Sequence, residues 1–222
     1  MDIMEAIRTR HSVRRYTDTP LTQQHIEILN DEINRCNKEG DLHFQLILNE
    51  PKAFGNFFAS YGLIKGAKNY IALIGKNTPD LSEKCGWYGE HLVLKAQQSG
   101  LNTCWVGGSY KKVKSAFTIR EGEKLCLVIA IGYGKNQGSK RPSKSFNAVT
   151  ETTGEFPQWF KNGVEAALLA PTAINQQRFK FILEDNRVTV KDLKGPYSKV
   201  DLGIVKYHFE AGAGKENFEW SE

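Results

Sequence analysis

No apolar run in this chain approaches the roughly 20 residues of a membrane-spanning helix. The longest, such as Leu125 to Ile131, are strand-sized, so no membrane partner is expected. The charged N-terminal residues lack the apolar core of a signal peptide. Cysteine is sparse: Cys36, Cys85, Cys104 and Cys126 form no CxxC pair. This argues against a disulfide framework and suggests reduced thiols in a cytoplasmic protein. His11, His25, His43, His91 and His208 stand far apart and show no HxxxH spacing, so no metal site is expected. There is also no interleaving of lysines with aromatics and no recognisable nucleic-acid motif, so no nucleic-acid partner is expected.

What is present is ordinary globular material. The 222 residues are 40% hydrophobic, 25% charged and 11% aromatic, which excludes disordered and fibrous chains and suffices for one full-sized core. A single domain over 1–222 is expected, with 1–154 and 155–222 as possible halves. The formal charge of +5 suits anionic small molecules.

Periodicity then orders the chain. Asp2 as N-cap, Glu5 three residues on, and Ile3 and Ile7 on one face announce a short first helix. Thr22 caps a second helix, with Leu21 and Ile26 placed as a hydrophobic staple. Ile26, Leu29, Ile33 and Cys36 form its stripe, and Gly40 ends it. Strands are expected at Leu42–Leu48, at Tyr70–Ile74 (buried on both faces), at Asn102–Val106 and at Leu125–Ile131. A helix spans Leu81–Ser99, where Gly86 and Gly89 suggest close backbone approach. Gly132 to Gly154 reads as a long aperiodic arm. A helix at Pro157–Leu169, strands at Phe179–Leu183 and Val188–Val190, and a helix from Val200 to Ala213 complete the chain. Two internal echoes stand out. His43–Glu50 matches Arg178–Asp185 at an offset of 135 residues, and the pattern from Gly86 to Ala96 matches Gly203 to Ala213 at an offset of 117. Partial duplication and chance convergence of helix-strand units both explain them.

Four stretches could carry chemistry. Arg8-Thr9-Arg10-His11-Ser12-Val13-Arg14-Arg15-Tyr16 packs four arginines, a serine and a histidine into nine residues. If its backbone extends, Arg10, Ser12 and Arg14 share one side, and guanidinium forks with a hydroxyl suit a phosphate. Taken alone, it reads more readily as a solvated basic turn, since charge runs usually face solvent. Cys104-Trp105-Val106-Gly107-Gly108 ends a strand in two glycines, whose unobstructed N–H groups can stabilise an atom gaining negative charge. Lys140-Arg141-Pro142 lies in the arm and offers further cations. The Gly132-Tyr133-Gly134…Gly138 run before it has GxGxxxG spacing and no following helix pattern, so it is no dinucleotide fingerprint. Ala170-Pro171-Thr172-Ala173-Ile174-Asn175-Gln176-Gln177 is a loop of small residues that would let backbone approach a flat ligand.

These four stretches, in this order, resemble the FMN-dependent nitroreductase family. Arg10–Tyr16 is similar to its N-terminal R-x-S-x-R/K-x-aromatic motif, and Leu101–Gly108 to its G-L-G-T-C-W-I-G-G strand. Ile131-Gly-Tyr with Lys140-Arg141-Pro142 resembles its strand and basic tail, and Ala170–Gln177 its A-P-S-S-x-N-x-Q loop. The resemblance implies an α+β fold with a mixed central sheet flanked by helices. By the same resemblance, FMN would be bound by Arg10, His11, Ser12, Arg14, Trp105, Val106, Gly107, Gly108, Lys140, Arg141, Pro171, Thr172, Ala173, Asn175 and Gln177. Arg14, Gly107 and Gly108 would serve catalysis, Arg14 at the pyrimidine edge and the glycine N–H groups near flavin N5.

The resemblance further implies an oxidoreductase in which NAD(P)H delivers hydride to N5. The electrons then pass to an electron-poor small molecule such as a nitroaromatic or quinone. A flavin-binding protein without turnover, and another chemistry such as reductive dehalogenation, are the alternatives. One departure matters. Family members carry the A-P-S-S-x-N loop early and pass it to a partner subunit, whereas here the early position is Asn34–Gly40 and the loop lies late. One chain is therefore expected to form a complete flavin site. Two arginine contacts give about 3–6 kcal/mol, short of the roughly 8 kcal/mol of micromolar binding, so the ring must be buried as well.

Overall fold

The computed structural model describes residues 1–55 and 63–221. Its first helix, α1 (Ile3–Thr9), starts where the sequence places it, with Asp2 accepting from the Glu5 N–H at 2.8 Å. Helix α2 (Gln23–Gly40) begins at Thr22, whose hydroxyl accepts from the His25 N–H, and it buries Leu29, Ile33 and Cys36. The left-handed residue that closes it is Asp41, with φ 51°, rather than Gly40. Strand β1 is only Gln45–Ile47, shorter than the expected Leu42–Leu48. The Asn37 side chain takes both backbone groups of Phe44, which interrupts the ladder between the isolated Leu42–Gly75 bridge and β1.

β2 (Asn69–Lys76), α3 (Leu81–Gln98), β3 (Asn102–Val106) and β4 (Glu123–Gly132) follow. The Gly132–Gly154 stretch is not wholly aperiodic, for it holds β5 (Thr150–Thr152). α4 (Gln158–Leu168), β6 (Phe179–Glu184), β7 (Arg187–Asp192), α5 (Ser198–Ala213) and β8 (Glu219–Trp220) complete the described elements. The α+β class holds, with strands divided between two four-stranded sheets, β1-β2-β4-β3 and β5-β6-β7-β8. Pairing in the first sheet is antiparallel throughout, and the second mixes parallel and antiparallel neighbours. Among the described residues no helix is long and apolar enough to cross a membrane.

Backbone proximity groups the chain into two units. The first comprises Met1–Thr9, Ser82–Glu90 and Arg141–Glu222; the second comprises Arg10–Leu81 and His91–Lys140. In the second unit, Tyr70, Ala72, Ile74, Cys104, Val106, Val128 and Ala130 point from alternate strand positions into one core layer with Val13 and Tyr16. The intervening Ile71, Leu73, Ile129 and Ile131 are fully buried as well, so this sheet is covered on both faces, as continuous apolar strands require. The first unit is built on aromatic rings. Phe181 stacks on Phe209 with centroids 4.6 Å apart, and Phe160 meets Phe209 edge-on at 5.5 Å.

Within the first unit, α3 and α5 approach at glycine. A Cβ on Gly86 would lie 2.0 Å from the Val200 carbonyl oxygen, and one on Gly203 2.0 Å from the Glu83 carbonyl oxygen. These are the two glycines paired by the second echo, and they lie against each other. Because the clash is with backbone, no side chain can swing aside. Gly203→Ala is expected to destabilise the protein by about 1–3 kcal/mol, read as a lower urea midpoint.

Candidate functional site

The basic stretch leaves α1 and enters the second unit. Ser12 bridges Thr103 of β3 in parallel, and the Val13 N–H donates to the Thr103 carbonyl at 3.0 Å. Two residues on, the segment changes partner: the Lys65 N–H donates to the Arg14 carbonyl and the Tyr16 N–H to the Lys65 carbonyl, both at 2.9 Å. This change replaces the alternation expected from an extended strand. Arg10, Val13 and Tyr16 are buried, Ser12 is half-buried, and Arg14 is exposed. Arg10 and Arg14 therefore occupy different environments, one enclosed at 3% exposure and the other in solvent. Burial pushes the Tyr16 hydroxyl well above its ordinary pKa, and it donates instead to the Ala130 carbonyl.

The structure brings three predicted pieces together here. β3 carries half-buried Trp105 and buried Val106, then Gly107 and exposed Gly108. The arm after β4 folds back so closely that a Cβ on Gly138 would lie 2.6 Å from His11 Cβ. Sequence reading missed the residue that holds this arm. Asn102, buried at the start of β3, accepts from the Gly134 N–H at 2.9 Å and donates to Gln137 at 2.9 Å. An asparagine opening an otherwise apolar strand was the available signal. Lys140 ends this unit and is exposed.

A cavity of about 260 Å³ also lies in the second unit, lined in part by Tyr16, Asp18, Lys68 and Asn69. It includes none of the predicted cofactor residues. Its charges are already matched, Lys68 to Asp18 at 2.7 Å. The donor-rich stretch on β3 is therefore the stronger candidate for an anionic ligand.

The remaining predicted residues belong to the first unit. Pro171 and Thr172 are buried and Ala173 half-buried, and Ala173–Asn175 makes a 3-10 turn. Ile174, Asn175 and Gln177 have φ of 46°, 56° and 44°, a costly conformation for a β-branched residue. The amides that sequence reading offered to a ligand hold the chain here. Asn175 donates to the Pro142 carbonyl at 2.8 Å. Gln177 accepts from the Lys144 N–H at 2.7 Å and donates to the Leu168 carbonyl at 2.9 Å. Arg141 is half-buried at the start of the segment so anchored.

Asp201, another residue not foreseen, fixes the loop from α5. Its carboxylate accepts from the Ala173 N–H at 2.9 Å and from Gln176 Nε2 at 2.9 Å. Burial pushes its pKa up to about 6, against these hydrogen bonds that favour the ionised form. An acid raised on folding contributes stability that is complete below its unfolded value of roughly 4. That contribution is lost as pH rises through about 6. Melting temperatures of wild type and Asp201→Asn across this window are expected to show it: wild type should lose stability relative to the variant between about pH 4 and 6, with a constant difference above.

Comparison with known proteins gives this arrangement a family. Among solved structures, the chain is similar to a putative nitroreductase from Thermotoga maritima, with 21% identity, a TM-score of 0.61, and coverage of 94% of this chain and 82% of that one. It is also similar to a putative nitroreductase from Desulfovibrio desulfuricans in complex with FMN, with 20% identity, a TM-score of 0.56, and coverage of 71% and 99%. A third, a putative nitroreductase from Exiguobacterium sibiricum in complex with FMN, gives 17% identity, a TM-score of 0.54, and coverage of 67% and 95%. No curated protein matches the chain. These likenesses establish the fold. A family model described as "Putative TM nitroreductase" matches residues 2–213 of the 222, and the chain belongs to that nitroreductase family.

Proposed function

We propose that this protein is an FMN-dependent oxidoreductase that uses NAD(P)H to reduce an electron-poor small molecule, such as a nitroaromatic or quinone. The observation that carries the reading is the set of groups gathered along β3. A buried guanidinium at Arg10, the Ser12 hydroxyl and an exposed guanidinium at Arg14 lie on a segment that is hydrogen-bonded to the strand leading into Gly107 and Gly108. This donor set fits FMN. A buried cation and a hydroxyl suit the phosphate and ribityl oxygens, a second cation suits the ring edge, and the half-buried Trp105 offers apolar surface to a flat ring. Gly138 packs against His11 so closely that a side chain there would clash, which holds the arm against the Arg10–Arg14 segment.

In this reading Arg10 and Ser12 grip the phosphate, with Lys140 supplementing their charge. Arg14 sets a cation against the pyrimidine edge, where negative charge accumulates on reduction. Gly107 and Gly108 present N–H groups with no side chain in the way. When bound, the flavin supplies the hydride chemistry, and the protein supplies binding, orientation and charge. No general acid stands out among these residues, and solvent water is the assigned proton source. The test is the spectrum of the purified chain supplemented with FMN, before and after NADH or NADPH under argon. Flavin absorbance that co-purifies or is taken up and then bleaches supports the reading. Failure to take up FMN overturns it, and bound flavin that no nicotinamide bleaches identifies a binding protein without turnover.

A further inference from the structure

Away from β3, the second unit gathers three metal-binding side chains whose spacing in sequence gives no hint of a cluster. Glu32 and Cys36 are one turn apart on α2, and His91 comes from α3. Their donor atoms all lie within 4.8 Å of one another. Cys36 is buried, and the Glu32 and His91 side chains are only 12% and 22% exposed. Arg35 enters the same space, where its Nη2 meets both Glu32 Oε1 and His91 Nε2, while Glu32 Oε1 also meets His91 Nε2.

The two N–H groups of Arg35 Nη2 face a carboxylate oxygen and an imidazole nitrogen at once, so a cation already bridges these two acceptors. A protonated His91 Nε2 donates to Glu32 but then opposes the N–H of Arg35. An unprotonated Nε2 accepts from Arg35 but then sets its lone pair against the carboxylate oxygen. A carboxylate oxygen and an imidazole lone pair converging beside a thiol are satisfied together by a cation between them.

We propose that Glu32, Cys36 and His91 form a binding site for a divalent transition-metal ion, zinc foremost. Arg35 is the internal cation that fills the place until the metal enters. Thiolate, imidazole and carboxylate are the usual zinc ligands, and three of them leave a fourth position for water. Zinc bond lengths of about 2.0–2.3 Å place tetrahedral ligand atoms roughly 3.3–3.8 Å apart. The widest of the three separations must therefore close by about 1 Å while the Glu32–His91 contact opens, both within reach of side-chain rotation. Binding exchanges the thiol proton, released to water, for a metal–sulfur bond, so carboxylate and thiolate neutralise the two positive charges of the ion. Arg35 then has somewhere to go: Glu39 Oε1 is already 4.0 Å from its Nη1. Lys95, 3.9 Å from Glu32 Oε2, opposes the ion and weakens the site. Such a site would pin α2 to α3, and it shares no residue with the proposed flavin site.

The full chain, stripped with a chelator and dialysed against zinc chloride, is expected to retain one zinc per molecule. X-ray absorption at the zinc edge should show one sulfur at about 2.3 Å with lighter donors beside it. Cys36→Ser should remove the sulfur and weaken binding at least about tenfold, while Cys126→Ser changes neither. Arg35→Ala is the most telling variant. Loss of the competing ion pair, worth about 0.2–1 kcal/mol, should tighten zinc binding by up to about fivefold. Arg35 is half-exposed, so its removal leaves no cavity. The proposal is overturned if neither wild type nor Arg35→Ala retains stoichiometric zinc, if sulfur persists in Cys36→Ser, or if Arg35→Ala binds more weakly.

Discussion

Arg10→Ala is expected to weaken FMN binding by roughly 10- to 100-fold and riboflavin binding by no more than about threefold, because hydrogen bonds to charged groups contribute about 1.5–3 kcal/mol. The two ligands share the ring and ribityl chain and differ in the phosphate, so their ratio isolates the phosphate contact. The ratio matters because Arg10 is 3% exposed. Its truncation can disturb packing, and a packing defect lowers both affinities together. A guanidinium kept in that position has its own folding cost, which a bound dianion would offset. Arg14→Ala, at an exposed position, should change the ratio far less. Fluorescence titration of wild type and both variants decides the matter. Equal losses for FMN and riboflavin in Arg10→Ala would move the phosphate elsewhere on the protein.

The second unit was the more legible part of the chain. α2 was readable because its cap and stripe are local, and β2 and β4 because short, nearly continuous apolar runs of strand length read as strands buried on two faces. The sheet order β1-β2-β4-β3 was not readable, since pairing β2 with β4 skips a helix and a strand, and nothing in residues 69–132 encodes that choice. β5 and β8 escaped for a different reason. Thr150-Glu151-Thr152 and Glu219-Trp220 are too short for any period, and each forms only because a neighbouring strand offers a parallel partner.

The site was legible as a set of residue types and illegible as an environment. The motif placed Arg10, Ser12 and Arg14 together, and the structure keeps them on one segment while burying the first and exposing the last. Alternation failed there because the segment trades β3 for an isolated bridge to Lys65 after Val13. Of the anchoring residues, Asn102 left a trace as the asparagine opening β3, whereas Asp201 left none, because a buried polar side chain is recognised by its partner and that is 28 residues away. The same holds for His91 and Cys36, which sequence separation alone had ruled out as a cluster.

His208→Ala is expected to cost about 3–5 kcal/mol of stability, and Glu90→Ala about the same, because each leaves a buried polar partner uncompensated. The two side chains are fully buried in the first unit, with His208 Nε2 2.8 Å from Glu90 Oε1. The other ring nitrogen, Nδ1, is 3.0 Å from the Ala166 carbonyl oxygen. A carbonyl can only accept, so Nδ1 carries a proton, and one further proton is shared between Nε2 and Glu90. The pair is thus neutral overall, either as an ion pair or as imidazole with carboxylic acid. This assignment predicts an asymmetry between substitutions. Glu90→Gln keeps a donor facing Nε2, since its amide can donate to the neutral imidazole, and it should cost less than about half of either alanine change. Joint replacement of both residues by apolar side chains of similar volume should also cost less than either alanine change alone, as seen generally for buried pairs. Urea unfolding of the set, analysed as a double-mutant cycle, reads all of these values. Additive losses in the cycle would show that the contact carries no coupling and that the helices α3 and α5 are held together by packing at Gly86 and Gly203, whereas a Glu90→Gln loss equal to that of Glu90→Ala would show that an amide cannot replace the carboxyl group against Nε2.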